Sequence, residues 1–222
     1  MCGFAGFLGY GRMNAEKASR IATQMGESLV HRGPDDSGVW CDDNSEIALS
    51  HQRLSILDLS SAGHQPMISA SGRFVTVFNG EIYNHLEIRA ELQKEEDQPD
   101  WLGHSDTETF LAAVEARGLE ETLRQTVGMF ALALWDRKER VLYLTRDRMG
   151  EKPLYYFHNN NNFIFSSDLN SLKLHSKVSK AISSVSLQKY LAYGYIPSPL
   201  TIYSKIYKLP AGHFLEYEFN KS

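Results

Sequence analysis

The sequence predicts an α+β fold built on antiparallel sheets. Two observations carry that expectation. Helix-like and strand-like segments come in blocks, strands then helices then strands, whereas a parallel βαβ fold needs regular alternation. Between Met129 and Ser166, four apolar runs follow one another through short polar turns with no helix between them, which reads as an antiparallel meander.

The elements follow in order. The apolar run 4–8 predicts a buried strand starting almost at the N-terminus, and 9–12 a turn. Ala15, Ala18, Ile21, Ala22, Met25 and Leu29 recur at helical spacing and predict an amphipathic helix over 14–30 with Asn14 as its cap. HRGPDDSG (31–38) lacks periodicity and reads as a loop, followed by a strand pair at 39–41 and 47–52. Segment 60–66 reads as a second loop, and 74–78 as a strand ending at Asn79-Gly80. A helix is expected over 82–93 and a polar loop over 94–103. Ser105 and Glu108 form a capping-box pattern ahead of a helix that Gly118 ends, with a shorter helix at 119–125. The meander runs 129–135, 141–145, 154–157 and 163–166. A helix at 185–193 and short strands at 202–209 and 214–219 close the chain.

Composition excludes several classes. The 222 residues suffice for one large domain with its own core, at 42% hydrophobic and 23% charged residues. A formal net charge of -4 without a basic block argues against nucleic acid. Two cysteines, Cys2 and Cys41, make neither a disulfide framework nor a four-cysteine metal site. No apolar run approaches the ~18 residues of a membrane helix. The N-terminus lacks the charged region of a secretory signal. Histidine metal patterns and glycine-rich phosphate loops are missing. Arg146-Asp147-Arg148 is a dense charge cluster that reads as a structural ion-pair network.

Cys2 is the residue with the most chemistry. Removal of Met1 leaves a thiol and a free α-amine on one residue, with ordinary pKa values near ~8.5 and ~8. An N-terminal amine activating its own nucleophile is a known strategy. The alternative is an early core residue. A thiolate attacking an amide also needs donors for the oxyanion. Asn79-Gly80 can supply a side-chain and a backbone N–H, or be a simple turn. Arg53 can clamp a carboxylate or be an ordinary surface arginine. Glu81 and Asp106 can hold an ammonium group, and Asp106 can equally stabilise the start of its helix.

MCGFAGFLG, HRGPDDSG, HQRLSILDLS, AGHQPM, FNGEIYN, SDTE, GMFALALWD and RDRMGEKPLYY follow one another in an order that resembles class II glutamine amidotransferase domains. Within that family the chain is most similar to the N-terminal half of glutamine-hydrolysing asparagine synthetases, and YGYIPSPLTIYSKIYKLPAGH extends the resemblance toward the chain end. The resemblance implies one domain over 1–222 with an N-terminal-nucleophile hydrolase fold, a four-layer α/β/β/α sandwich of two antiparallel sheets. It implies hydrolysis of L-glutamine to glutamate and ammonia through a γ-glutamyl thioester. Cys2 matches the nucleophile, and Asn79 and Gly80 the oxyanion hole. Arg53 matches the clamp on the α-carboxylate. Leu54, Ser55, Ile56 and Leu57 line the pocket, and Glu81 and Asp106 hold the α-amino end. No S-G-G-x-D-S pyrophosphate loop occurs, so the synthetase half is expected to be absent, and with it ATP and magnesium. No cofactor or metal is expected in this chain. Expected partners are glutamine and a synthetase domain or subunit, without nucleic acid or membrane, and a homodimer is compatible with the resemblance. A cytoplasmic location suits a thiol that must stay reduced. The alternative function is a non-catalytic glutamine-binding or regulatory module docking to a separate synthetase subunit.

Overall fold

A computed structural model describes residues 1–9, 14–42, 46–95, 98–159 and 162–218. Positions 10–12 of the first expected turn, 96–97 of the polar loop, the turn residues 160–161 and Phe219 of the last expected strand lie outside the described residues.

The strands in chain order are β1 (Gly3–Leu8), β2 (Asp36–Asp42), β3 (Ile47–Arg53), β4 (Met67–Ile68), β5 (Phe74–Ile82), β6 (Gly128–Asp136), β7 (Val141–Arg146), β8 (Tyr155–Asn159), β9 (Asn162–Ser166), β10 (Ile206–Lys208) and β11 (Phe214–Glu218). The helices are α1 (Ala15–Glu27), α2 (His85–Leu92), α3 (Asp106–Arg117), α4 (Leu119–Gln125), α5 (Leu169–Leu172) and α6 (Ser184–Tyr193). One sheet runs β10-β8-β9-β1-β3-β2, the other β11-β7-β6-β5-β4, and every pairing is antiparallel.

The two-residue period of the strands sorts their side chains into three cores. Phe4, Leu8, Ile47 and Leu49 from the first sheet meet Val75, Val77, Ala131, Ala133 and Trp135 from the second, filling the layer between the sheets. The alternate residues Ala5, Phe7 and Ala48 face outward against Ala18, Ala22 and Met25 of α1. On the far side Phe74, Phe78 and Leu132 pack against Ile88 of α2 and Phe110, Leu111 and Val114 of α3. The result is a helix–sheet–sheet–helix stack. Burial on both faces explains why these strands read as continuous apolar runs.

Local signals hold where they rest on capping. The Asn14 side chain accepts the Lys17 N–H at 3.0 Å, and Ser105 that of Glu108 at 3.1 Å. Only half of the expected capping box forms. The Glu108 carboxylate takes the N–H groups of Leu102 and Gly103 and pairs with Arg89 at 2.9 Å.

Several expectations are corrected. The meander is two hairpins in different sheets, β6–β7 and β8–β9, because β8–β9 joins β1 instead of β7. β5 does not end at Asn79-Gly80. It continues to Ile82, paired with Gly128, and Tyr83 N–H reaches Val127 O, so α2 starts at His85 instead of 82. β2 begins at Asp36, inside the expected loop, drawn into register by Arg53 and Gln52 of β3. α1 ends at Glu27, and Val30–Arg32 forms a 3-10 turn. The strand expected at 202–209 is only Ile206–Lys208, while β4 and α5, of two and four residues, are too short to show a period in the sequence. The charge cluster at 146–148 binds backbone. Arg146 donates to Lys152 O and Leu209 O, Arg148 to the end of α4, and the Asp147 carboxylate accepts from Met149, Glu151 and Lys152 N–H.

Candidate active site

The alternation that builds the central layer also builds a pocket at its end. Counting along β3 from Ile47 and Leu49, the same inner face carries His51 and Arg53. Counting along β5 from Val75 and Val77, it carries Asn79 and Glu81. β1 starts beside them with Cys2. These residues converge on a cavity of about 120 Å³ lined by Cys2, Arg53, Asn79, Gly80, Glu81 and Asp106. Leu54, Ile56 and Leu57 form one wall. Ser55 does not line it, since its N–H is turned to the Asp35 carboxylate at 2.8 Å.

The Cys2 thiol is held by one residue. Its sulfur accepts the Leu54 N–H at 3.4 Å and its S–H points to Leu54 O at 3.6 Å. Burial pushes the thiol pKa up; the Leu54 contact, the chain's terminal charge and Arg53 oppose that rise. Arg32 donates to Cys2 O at 3.1 Å and so fixes the backbone behind the thiol.

β5 presents an incomplete edge to the pocket. Phe74, Thr76, Phe78, Gly80 and Ile82 turn their backbone groups away from β6. At Phe74 the partner is Ser69, and at Thr76 it is Met67 of β4. β4 then stops. The Phe78 N–H donates to Gln65 Oε1 at 2.6 Å, and His51 Nε2 donates to Phe78 O at 2.9 Å. The Ile82 N–H donates to Asp106 Oδ2 at 2.8 Å. Gly80 lies between these supported positions. Its neighbour across the ladder, Phe130, gives its carbonyl to the N–H of Asp147, just past β7, instead. The Gly80 N–H therefore has no partner among the described residues and opens into the cavity. The side-chain Nδ2 of Asn79, 1% exposed, also has none. A buried donor without an acceptor costs about 1–3 kcal/mol. Two of them side by side in a cavity constitute a receptor for an oxygen anion.

The opposite end carries charge. Arg53 donates to Ser60 O at 2.9 Å and to Asp58 O, which aims the guanidinium without neutralising it. Asp58 in turn accepts Ser60 N–H, Ser60 Oγ–H and His104 N–H, and these bonds hold its carboxyl down at about 2. Burial pushes the Asp106 carboxyl up, opposed by the Ile82 N–H. Gly63 packs flat on the guanidinium, where any side chain would collide.

The cavity thus joins a thiol, two free N–H donors, the Arg53 guanidinium, the Lys152 ammonium and the carboxylate residues Asp58, Glu81 and Asp106. A model of the glutamine amidotransferase domain matches residues 1–222. The chain belongs to the glutamine amidotransferase domain family. It is 35% identical to asparagine synthetase [glutamine-hydrolyzing] 1 of Bacillus subtilis (strain 168), over 96% of this chain and 33% of that protein. It is 32% identical to asparagine synthetase [glutamine-hydrolyzing] 2 of the same strain, over 97% and 29%. Across the first curated relatives the chain spans 29% to 45% of their length. Among solved structures, a B. subtilis glutamine phosphoribosylpyrophosphate amidotransferase aligns with a TM-score of 0.64 at 18% identity, over 78% of this chain and 43% of that one. That likeness shows a shared fold, two antiparallel sheets stacked between helices.

Of the residues singled out in the sequence, Cys2, Arg53, Leu54, Ile56, Leu57, Asn79, Gly80, Glu81 and Asp106 line this cavity, and Ser55 does not. Arg32, His51, Asp58 and Gln65 also support the site, and their only sequence signal is their place inside the motifs HRGPDDSG, HQRLSILDLS and AGHQPM. Among the described residues no helix is long and apolar enough to cross a membrane.

Proposed function

We propose that this amidotransferase domain hydrolyses the side-chain amide of L-glutamine at Cys2 once Met1 has been removed. The observation that carries the reading is the pair of donors without a partner among the described residues, Asn79 Nδ2 and the Gly80 N–H turned away from β6, in the cavity that holds the thiol. The freed α-amine takes the thiol proton, and the sulfur attacks the amide carbon. The oxyanion is received by the two donors. Ammonia leaves with the proton from the α-amine, giving the γ-glutamyl thioester. Water then adds to the thioester, releasing glutamate and restoring the thiol. Arg53 binds the α-carboxylate, and Asp106 with Glu81 binds the α-ammonium. Every group in this scheme is supplied by the chain, so it needs no cofactor. The ammonia passes to a synthetase of the asparagine-forming type, in the cytoplasm where Cys2 stays reduced.

The test is ammonia release from glutamine by protein whose N-terminus has been verified by mass spectrometry. Activity is expected from the Met1-processed protein, and none from Cys2→Ala, which still binds glutamine. Equal rates for Cys2→Ala and the parent protein would overturn the assignment.

A further inference from the structure

The charge cluster at 146–148 fixes Lys152 in place. The Asp147 carboxylate gathers the N–H groups of Met149, Glu151 and Lys152, the last at 3.0 Å. The Arg146 guanidinium donates to Gly150 O and, at 2.7 Å, to Lys152 O. The loop after β7 is thus tied on both sides of Lys152. Its side chain enters the cavity that holds Cys2, and the residue is 6% exposed.

A lysine buried to this degree is ordinarily paired with a carboxylate. Lys152 has no such partner among the described residues. Its ammonium rests on Met1 Sδ at 3.4 Å. A thioether is a weak acceptor, and Met1 is the residue that processing removes. Met1 Sδ is joined to the Cys2 nitrogen through one side chain, so the ammonium stands within about 10 Å of that nitrogen. Removal of Met1 deletes the contact and leaves the ammonium facing the new N-terminus.

The charged groups around Cys2 are Arg32, Arg53, Asp58, Glu81, Asp106 and Lys152. All but Lys152 are committed elsewhere. Arg32 holds the Cys2 carbonyl, and Asp58 accepts from Ser60 and His104. In the proposed complex the α-carboxylate of glutamine neutralises Arg53, and its α-ammonium neutralises Glu81 and Asp106. Lys152 is the charge that remains beside the nucleophile.

We propose that Lys152 sets the protonation of the nucleophile, its ammonium driving one proton off the Cys2 thiol and α-amine taken together. The inference rests on reading Cys2 as an N-terminal nucleophile. While both groups are protonated, the amine cannot accept the proton of the sulfur. Loss of one proton makes the pair competent, whichever group keeps the other. A neighbouring cation favours that loss at either site. At about 10 Å, in a site partly shielded from water, the effect is about one pH unit.

The test compares the Met1-processed protein with Lys152→Met, which keeps a stem of similar length and removes the charge. Lys152→Gln is a second neutral variant. Alkylation of Cys2 by iodoacetamide is followed against pH and read on the N-terminal peptide by mass spectrometry, so that Cys41 does not contribute. The midpoint is expected to rise by about one pH unit in the neutral variants, and the acid limb of kcat/KM for glutamine to rise with it. Lys152→Arg restores both. An unmoved midpoint in a neutral variant whose circular dichroism is that of the parent overturns the proposal. So does Lys152→Arg behaving like Lys152→Met. A raised KM with an unmoved midpoint also overturns it, and makes Lys152 a substrate contact. Absence of ammonia release by the parent protein would instead strike the catalytic reading, and leaves the alkylation comparison standing.

Discussion

Gly63→Ala disturbs the Arg53 guanidinium without altering Arg53 itself. A Cβ at position 63 falls 2.6 Å from Arg53 Cζ and 3.3 Å from Nε, and overlaps Nη2. Ordinary carbon contacts lie at about 3.5–4.0 Å, so the guanidinium must retreat by about 1 Å. That retreat breaks the bonds to Ser60 O and Asp58 O and moves the charge away from its aim into the cavity. The obstacle is the far end of a flexible side chain, so the domain keeps its fold. A hydrogen bond to a charged group contributes about 1.5–3 kcal/mol, and 1.4 kcal/mol is a factor of ten. Losing one such bond to the α-carboxylate therefore raises KM for glutamine about 10- to 100-fold. The oxyanion donors sit on β5 and the thiol precedes β1, so kcat changes little. Initial rates of ammonia release against glutamine concentration give both constants, with circular dichroism confirming the fold. A folded variant with unchanged KM, or one in which kcat falls and KM does not, refutes the role given to Arg53.

Asn79→Ala removes one oxyanion donor and should lower kcat by about 10²–10³ with KM little changed, read in the same assay. Gly80→Ala places a methyl group 2.6 Å from Phe130 Cα, against the paired strand backbone, and should lower the thermal midpoint or abolish soluble expression. His51 is fully buried, and burial pulls its pKa down to about 4. The unfolded chain protonates this side chain near ~6.5, so stability falls as pH drops from 6.5 to 4, by about 3 kcal/mol in total. Burial pulls His175 down to about 4 as well, so urea midpoints at pH 7 and 4.5 should differ through both histidines, and His51→Phe should reduce the difference without abolishing it. The Asp58 contribution is present above its ordinary value and is lost only as pH falls toward 2, below the His51 window.

What the sequence discloses depends on the range of the interaction. Asn14 and Ser105 cap their helices through residues three positions away, and both were legible. Asn79-Gly80 is legible in the sequence as chemistry but not as structure. The dipeptide favours turns, yet here β6 pairs with it on one side and the other side is left open, a fact set by where β4 stops. Splitting of the hairpins between sheets depends on β1, far away in sequence, accepting β9. The family resemblance supplied the nucleophile, the oxyanion dipeptide and the clamp. It is silent on Gln65 and His51, which satisfy the Phe78 backbone on the open edge of β5, and on Asp58, which accepts from the loop residues Ser60 and His104. The resemblance assigns the whole stretch 54–57 to the pocket, whereas in the fold Leu54, Ile56 and Leu57 line it and the Ser55 N–H is turned to the Asp35 carboxylate.

The open edge of β5 makes the site robust in one respect and brittle in another. No side-chain substitution can delete a main-chain amide, so the Gly80 donor survives point changes that leave the strand straight. A one-residue deletion between Thr76 and Gly80 is different. It exchanges the two edges of the strand from that point onward, turning the free amide toward β6 and sending the Asn79 side chain outward to α3. A two-residue deletion restores the parity. Evolution in this segment is therefore expected to tolerate length changes in pairs, a counting rule imposed by hydrogen-bond direction rather than by any residue's chemistry.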